Sequence, residues 1–309
     1  MSASRRAFLA GIAGLAAAMP ARSVSAQDAR TRLILLGTGG GPRPRANSSA
    51  SAQVVVAGGG LYVVDCGDGV ARQLVRAELS LADLREVFIT HHHSDHDADY
   101  GNLLLFAWTA GLRTSVGTWG PPPMARLTRL FFEINAYDMK TRIADEGRRP
   151  LVPLIHPHDV TRGGLVMRDA SVKVTSALVR HPLVAPAFAY RFDARDRSIV
   201  ISGDTAPSDA LIALARGADV LVHEALHPAG ADRLAARVPQ AANLRAHLRA
   251  SHTTAADCGR IAAAAGVKTL VLSHFVPPDD PAITDEMWAQ EARTHFDGRI
   301  VVGKDLMEI

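Results

Sequence analysis

Short apolar runs, each stopped by glycine, a carboxylate or histidine, recur along the chain from residue 32 onward. Arg32-Leu33-Ile34-Leu35-Leu36-Gly37 predicts a first strand. The loop Gly37-Thr38-Gly39-Gly40-Gly41 follows. With no Lys-Ser/Thr behind it, it makes a poor phosphate loop, and its glycines serve better to let backbone pass close to other loops. Gln53 to Ala57 and Leu61 to Val64 predict two strands around the Gly58-Gly59-Gly60 turn. The second ends at Asp65-Cys66-Gly67-Asp68-Gly69, ahead of a helix through Gln73 and Ala77. Val87-Phe88-Ile89 is a further buried strand, and Tyr100 to Phe106 opens a helix. Gly120-Pro121-Pro122-Pro123 starts another through Leu127 and Phe131. Strands resume over 172–174, 179–182, 188–192, 198–205, 220–224 and 269–275, with helices over 234–248 and 254–265. No repeat and no Pro- or Ser-rich linker interrupts this alternation. It predicts one domain over 27–309, made of two related β-rich α/β halves, roughly 30–165 and 166–309.

The polar residues that end these strands carry the chemistry. Between Ile89 and Tyr100 stands Thr90-His91-His92-His93-Ser94-Asp95-His96-Asp97-Ala98-Asp99. In an extended segment His91 and His93 project to one side and can share a metal, whereas Asp95 and His96 lie past the bend and can serve a second. Imidazole nitrogen suits zinc and its transition-metal neighbours, and a carboxylate adds a hard oxygen donor. His181, Asp204, Glu224 and His274 each sit where another apolar strand stops, the place where layered α/β folds gather their sites. His156 and His158 lack that context and read as surface histidines in a loop. Trp108, Phe131, Phe132 and Tyr137 are candidates for the walls of a substrate pocket. Arg43, Arg45 and Arg180 are candidates for an anionic group.

Composition changes the picture only at the N-terminus. With 48% hydrophobic and 21% charged residues the 309-residue chain is ordinary for a globular protein, and no later apolar run is long enough to span a membrane. Residues 1–26 differ: Arg5-Arg6 precede a weakly apolar run of small residues, and Val24-Ser25-Ala26 offers a cleavage site. That is the pattern of a twin-arginine signal peptide, predicting export of a folded protein to the periplasm or beyond, with no stable membrane anchor. The chain holds 34 Lys and Arg against 31 Asp and Glu. Residues 1–26 contribute Arg5, Arg6, Arg22 and no acid, so 31 of each remain and nothing in the balance calls for a polyanionic partner. Cys66 and Cys258 are no disulfide framework and read as buried free thiols.

Taken together, Leu36-Gly37-Thr38-Gly39, Asp65-Cys66-Gly67-Asp68-Gly69, the H-x-H-x-D-H loop, His181, Ser202-Gly203-Asp204-Thr205, His223-Glu224-Ala225, His252-Thr253-Thr254 and Leu272-Ser273-His274-Phe275 resemble the metallo-β-lactamase fold superfamily. The resemblance covers most of 31–280 and is nearest to the branch that holds ribonuclease Z and its arylsulfatase-like relatives. It implies an α/β fold built as a four-layer αββα sandwich. It implies two Zn2+, with Mn2+ or Fe as alternatives: His91, His93 and His181 holding one, Asp95, His96 and His274 the other, and Asp204 bridging both. It also implies a metal-bridging hydroxide as nucleophile, oriented by Asp95, with His252 as proton donor supported by Glu224. A homodimer is compatible with it.

Two departures shape the functional expectation. Only 22 residues separate His181 from Asp204, where ribonuclease Z carries a long RNA-grasping arm, and the loop Gly41-Pro42-Arg43-Pro44-Arg45-Ala46-Asn47 is altered. The expectation is therefore an exported hydrolase of a small-molecule ester, a phosphodiester or an aryl sulfate, with no nucleic acid as partner. A lactonase or β-lactamase-like enzyme is the alternative, although the Asp204 bridge speaks against true β-lactamases and the His252–Glu224 pair against lactonases. A tRNA 3′-processing endonuclease and a non-catalytic metal-binding protein rank below these.

Overall fold

The computed structural model describes residues 30–309, so the twin-arginine segment lies outside the described residues. The first half runs β1 (Arg32–Gly37), β2 (Ala52–Ala57), β3 (Gly60–Val64), α1 (Val70–Arg76), β4 (Leu84–Phe88), α2 (Ser94–Asp97), α3 (Tyr100–Thr109), β5 (Val116–Gly120), α4 (Met124–Ile134), α5 (Ala136–Glu146) and β6 (Ile155–Asp159). The second runs β7 (Gly164–Arg168), β8 (Val172–Leu178), β9 (Phe188–Ala194), β10 (Ser198–Ile201), α6 (Asp209–Ala215), β11 (Val220–Leu226), α7 (Pro228–Ala236), α8 (Leu244–Ser251), α9 (Ala255–Ala265), β12 (Thr269–Val276), α10 (Asp285–Arg293) and β13 (Arg299–Val302).

Each half makes one sheet whose strands lie in chain order. In the first, β1, β2 and β3 pair antiparallel and β3 to β6 pair parallel. In the second, β7 to β10 pair antiparallel and β10 to β13 pair parallel. The unbroken apolar runs follow from burial on both sides. In β1, Leu33 and Leu35 face the opposite sheet while Ile34 and Leu36 face helices. In β12, Val271 and its neighbours Leu270 and Leu272 divide in the same way. Between the sheets Phe88 packs on Tyr190 and Phe192, with ring centroids 5.3 and 5.2 Å apart. Helices α1, α3, α4 and α5 cover the outer face of the first sheet, and α6, α9 and α10 that of the second. The four-layer αββα sandwich expected from the sequence is the fold.

Several boundaries move. The predicted strand over 179–182 is an extended link in which Arg180 makes a single bridge to Ala206, since Pro182 has no N–H to give a ladder. The predicted helix over 234–248 is two helices, α7 and α8, with Pro239 in the break. His156 and His158 lie not in a loop but on β6, and the His158 ring stacks on Trp119 at 3.9 Å. Helix α9 starts where predicted: the Thr254 side chain accepts from the Asp257 N–H, and Gly266 ends the helix in a left-handed conformation.

Candidate metal centre

The parallel strands of both sheets open their C-terminal ends toward one another, and the polar residues that stop the apolar runs meet there. The loop after β4 delivers His91 to His96, the link after β8 delivers His181, the turn after β10 delivers Asp204, and β12 delivers His274. Opposite β11, Glu224 pairs with Ser273 and Ala225 with Phe275, leaving His274 as the extra residue of a β-bulge at φ +42°. A bulge re-aims a side chain, and without it His274 would follow the alternation of its strand. Gly40 gives the room: a Cβ there would lie 2.8 Å from the His274 ring.

Two nests of donor atoms result. In one, His93 Nδ1 lies 3.1 Å from His91 Nε2 and 3.2 Å from His181 Nε2, with Asp204 Oδ2 3.9 Å from His91 Nε2. In the other, His96 Nε2 and His274 Nε2 are 3.1 Å apart, and Asp95 Oδ2 is 3.3 Å from His274 Nε2. Asp204 Oδ1 lies 3.3 Å from His96 Nε2 and 3.2 Å from His274 Nε2, so its two oxygens face different nests. A tetrahedral cation with bonds of about 2.0–2.1 Å needs donors about 3.3 Å apart, which these spacings meet. Asp204 Oδ1 is also a buried oxygen with no hydrogen-bond donor among the described residues, which fits an oxygen that would bind a cation.

Charge makes the same case. Asp65, Asp95, Asp204 and Glu224 are at most 5% exposed, and their ion-pair partners among the described residues are histidines, not Lys or Arg. Buried carboxylates in such number need positive charge close by, from protons on the rings or from bound cations. Burial alone would raise the Asp95 and Asp204 carboxyls, yet the His96 and His274 rings hold both well below the usual carboxylate range. Burial pushes His91 down, and His181 to about 4, leaving neutral imidazoles fit to bind a metal.

A surrounding set of contacts aims these ligands. His96 Nδ1 donates to Asp65 Oδ2 at 2.8 Å, and Asp65 also accepts from the Thr90 N–H and hydroxyl. His181 Nδ1 donates to the Ser251 carbonyl at 3.1 Å. The Gly41 N–H donates to Asp95 Oδ2 at 2.7 Å, so the glycine loop does approach the metal loops as expected. His92, inside the motif, is turned away toward Asp97 Oδ2 and the Pro121 carbonyl. His252 lies near Asp204 and His274 but gives its Nδ1 to both Glu224 oxygens at 3.1 Å. Burial disfavours a charged His252 ring, but Glu224 outweighs it and holds the group up at about 9. Glu224 is itself fixed by the Thr205 and Thr253 N–H groups.

A cavity of about 390 Å³ opens over the nests. Its apolar wall is Leu234, Val238, Leu244 and Leu248 from the α7–α8 segment, which corrects the expected walls. Trp108 is buried and donates to the Arg149 carbonyl, Phe131 packs on Gly101, and Tyr137 is exposed at 85%. Phe132 lines a separate cavity of about 470 Å³ beside α4 and α5. Among the arginines, Arg43 is exposed on the cavity rim, Arg45 turns back onto the Gly40 and Gly41 carbonyls, and Arg180 is outside the lining. Cys66 and Cys258 are free and buried, as expected. Sequence reasoning gave no role to Asp65 and missed His247. Asp65 carried the signal, a carboxylate directly after a buried strand. His247 carried none, because only the fold brings α8 over the site.

A model of the β-lactamase superfamily domain matches residues 61–275. The ribonuclease Z of Mycobacterium bovis (strain BCG / Pasteur 1173P2) is 33% identical over 280 residues, covering 90% of this chain and 97% of that protein. Two solved structures share the fold: the metallo-β-lactamase fold protein YhfI from Bacillus subtilis, with TM-score 0.65, 23% identity and coverage of 90% and 98%, and the short form of human tRNase Z, with TM-score 0.63, 21% identity and the same coverage.

The likeness to ribonuclease Z overturns the expectation of a small phosphodiester, aryl sulfate, lactone or lactam as substrate, and of no nucleic-acid partner. Both arguments behind it were weak physically. A neutral charge sum over the whole chain says nothing about the charge around one cavity. The short segment between His181 and Asp204 does not discriminate either, since the match to the mycobacterial protein extends over 90% of this chain in spite of it. The chain belongs to the metallo-β-lactamase superfamily and, within it, to the ribonuclease Z family of metal-dependent hydrolases.

Proposed function

We propose that this protein is a metal-dependent endoribonuclease of the ribonuclease Z type, hydrolysing an RNA phosphodiester, with precursor tRNA carrying a 3′ extension as its first substrate class. The observation that carries this reading is the likeness to ribonuclease Z over 97% of that protein's length, in a chain where every donor of the two nests is present.

In this reading His91, His93 and His181 would hold one Zn2+ and Asp95, His96 and His274 a second, with Asp204 offering an oxygen to each nest; imidazole-rich donors favour zinc over the harder cations. Two such cations supply Lewis acidity, both to activate water at neutral pH and to neutralise charge on the phosphoryl oxygens. Asp95, fixed by the Gly41 N–H, orients the attacking water. His252, with Nδ1 held by Glu224, presents a protonated ring to the departing ribose oxygen. The P–O bond to that ribose breaks as the water oxygen bonds to phosphorus; His252 gives its proton to the ribose oxygen, and the proton lost by the water passes to solvent, from which His252 is reprotonated. The Glu224 carboxylate keeps the donor charged between turnovers.

The test is cleavage of an end-labelled precursor tRNA by the zinc-loaded protein, with a cut at the 3′ side of the acceptor stem expected. Intact RNA after incubation with protein that retains its metal would sink the reading. We also propose that the Arg5-Arg6 segment exports the protein; a fusion of residues 1–30 to a reporter, retained in the cytoplasm, would refute it. Export would mean that the enzyme meets its RNA outside the cytoplasm.

A further inference from the structure

We propose that His247 is a further substrate-positioning residue, its Nε2–H donating to an oxygen of the phosphodiester held over the metal centre. This rests on the reading of the centre as one that cleaves a phosphodiester. His247 stands on α8, one helical turn before Ser251 and so on the same face. Its Nδ1 is 3.2 Å from the Ser251 hydroxyl, and either group can donate in that bond; in the proposed role the hydroxyl donates and the ring proton sits on Nε2. Nε2, on the far side of the ring, has no hydrogen-bond partner among the described residues. The His247 ring lines the cavity, with the His93, His181 and His252 rings 6.2, 6.0 and 6.0 Å away.

The same turn of helix sets two of those neighbours: the Ser251 carbonyl holds His181, and His252 is the next residue along the chain. Helix α8 thus aligns a metal ligand, the proton donor and His247 in one rigid unit. Of the cationic or imidazole side chains lining the cavity, those outside the ligand nests and not turned back onto backbone are Arg43, His252 and His247. His252 is committed to the leaving oxygen and Arg43 is on an exposed loop, so His247 is the donor held in place for a non-bridging oxygen.

The test compares wild type with H247A, H247Q and H247N as full-length, zinc-loaded proteins. The glutamine amide reaches about where Nε2 lies, and the asparagine amide does not. Zinc content should match wild type in all three. Calorimetric titration with inorganic phosphate should show affinity weakened roughly tenfold or more in H247A and H247N, the scale of one hydrogen bond to a charged acceptor, and mostly restored in H247Q. KM for RNA should rise in step, with kcat changing little. Phosphate affinity equal to wild type in H247N, or loss of zinc in H247Q, would overturn the proposal. If wild type cleaves no RNA, the ribonuclease reading fails by itself, and the phosphate titrations still decide the role of His247.

Discussion

At the scale of single residues, His252 and Asp204 lie 3.9 Å apart yet should fail in different ways. Asp204 sends one oxygen to each nest, so Asp204→Ala should lose metal and activity together. His252 gives Nδ1 to Glu224, so His252→Ala should keep its metal, measured by atomic absorption, while turnover on RNA falls about 10²–10⁴-fold, the usual worth of a positioned proton donor. Release of metal by the histidine variant would make it a ligand instead. Glu224 allows a pH prediction with a definite sign. It lifts His252 to about 9 against the effect of burial. Glu224→Gln removes that charge, the ring loses its proton at lower pH, and the alkaline limb of kcat should move down by about one to two units. An unmoved limb would mean that another group donates the proton.

At the scale of elements, the site depends on where strands are allowed to break. His274 reaches its nest through a bulge in β12, and Gly40 clears the space its ring needs. Gly40→Ala would push the new methyl into that ring and the Phe275 carbonyl. The nest of Asp95, His96 and His274 should then release its metal first, seen as loss of one zinc equivalent under a mild chelator while the His91 nest stays filled. The strands with strong apolar runs were legible because they are buried on both faces, and the polar residues at their ends that meet in the two nests were legible with them. The α7–α8 segment was not. The sequence reads it as one helix over 234–248, whereas the chain breaks around Pro239 and both pieces give apolar side chains to the cavity wall. Trp108 and Phe132 misled for the converse reason: large aromatics are as often packed beneath a sheet as exposed in a pocket.

At the scale of the whole molecule, two sheets pack so that Asp65, Asp95, Asp204 and Glu224 share one buried space. Stability should therefore depend on the cations that offset them. Stripping the metal with a chelator should lower the melting temperature on the order of 10 °C, the shift expected when a ligand present at about a thousand times its Kd is withdrawn. Refilling with Zn2+ should restore it. Melting indifferent to chelation would mean that protons on His96 and its neighbours balance the acids unaided.

The sequence by itself determined the layered α/β architecture and the superfamily, and it named the polar residues that the fold gathers into two nests, because each is written locally: an apolar run long enough for one strand, followed by a histidine or carboxylate. Only the tertiary structure decided that Asp65 steers His96, that α8 brings His247 over the centre, and that leucines and valine rather than aromatics wall the cavity. These are contacts between segments far apart in the chain, and no periodicity within either segment encodes them. Substrate class was read wrongly for a related reason. A charge sum and an insertion length are properties of the whole chain, whereas recognition of any substrate is settled by the few groups that surround one cavity.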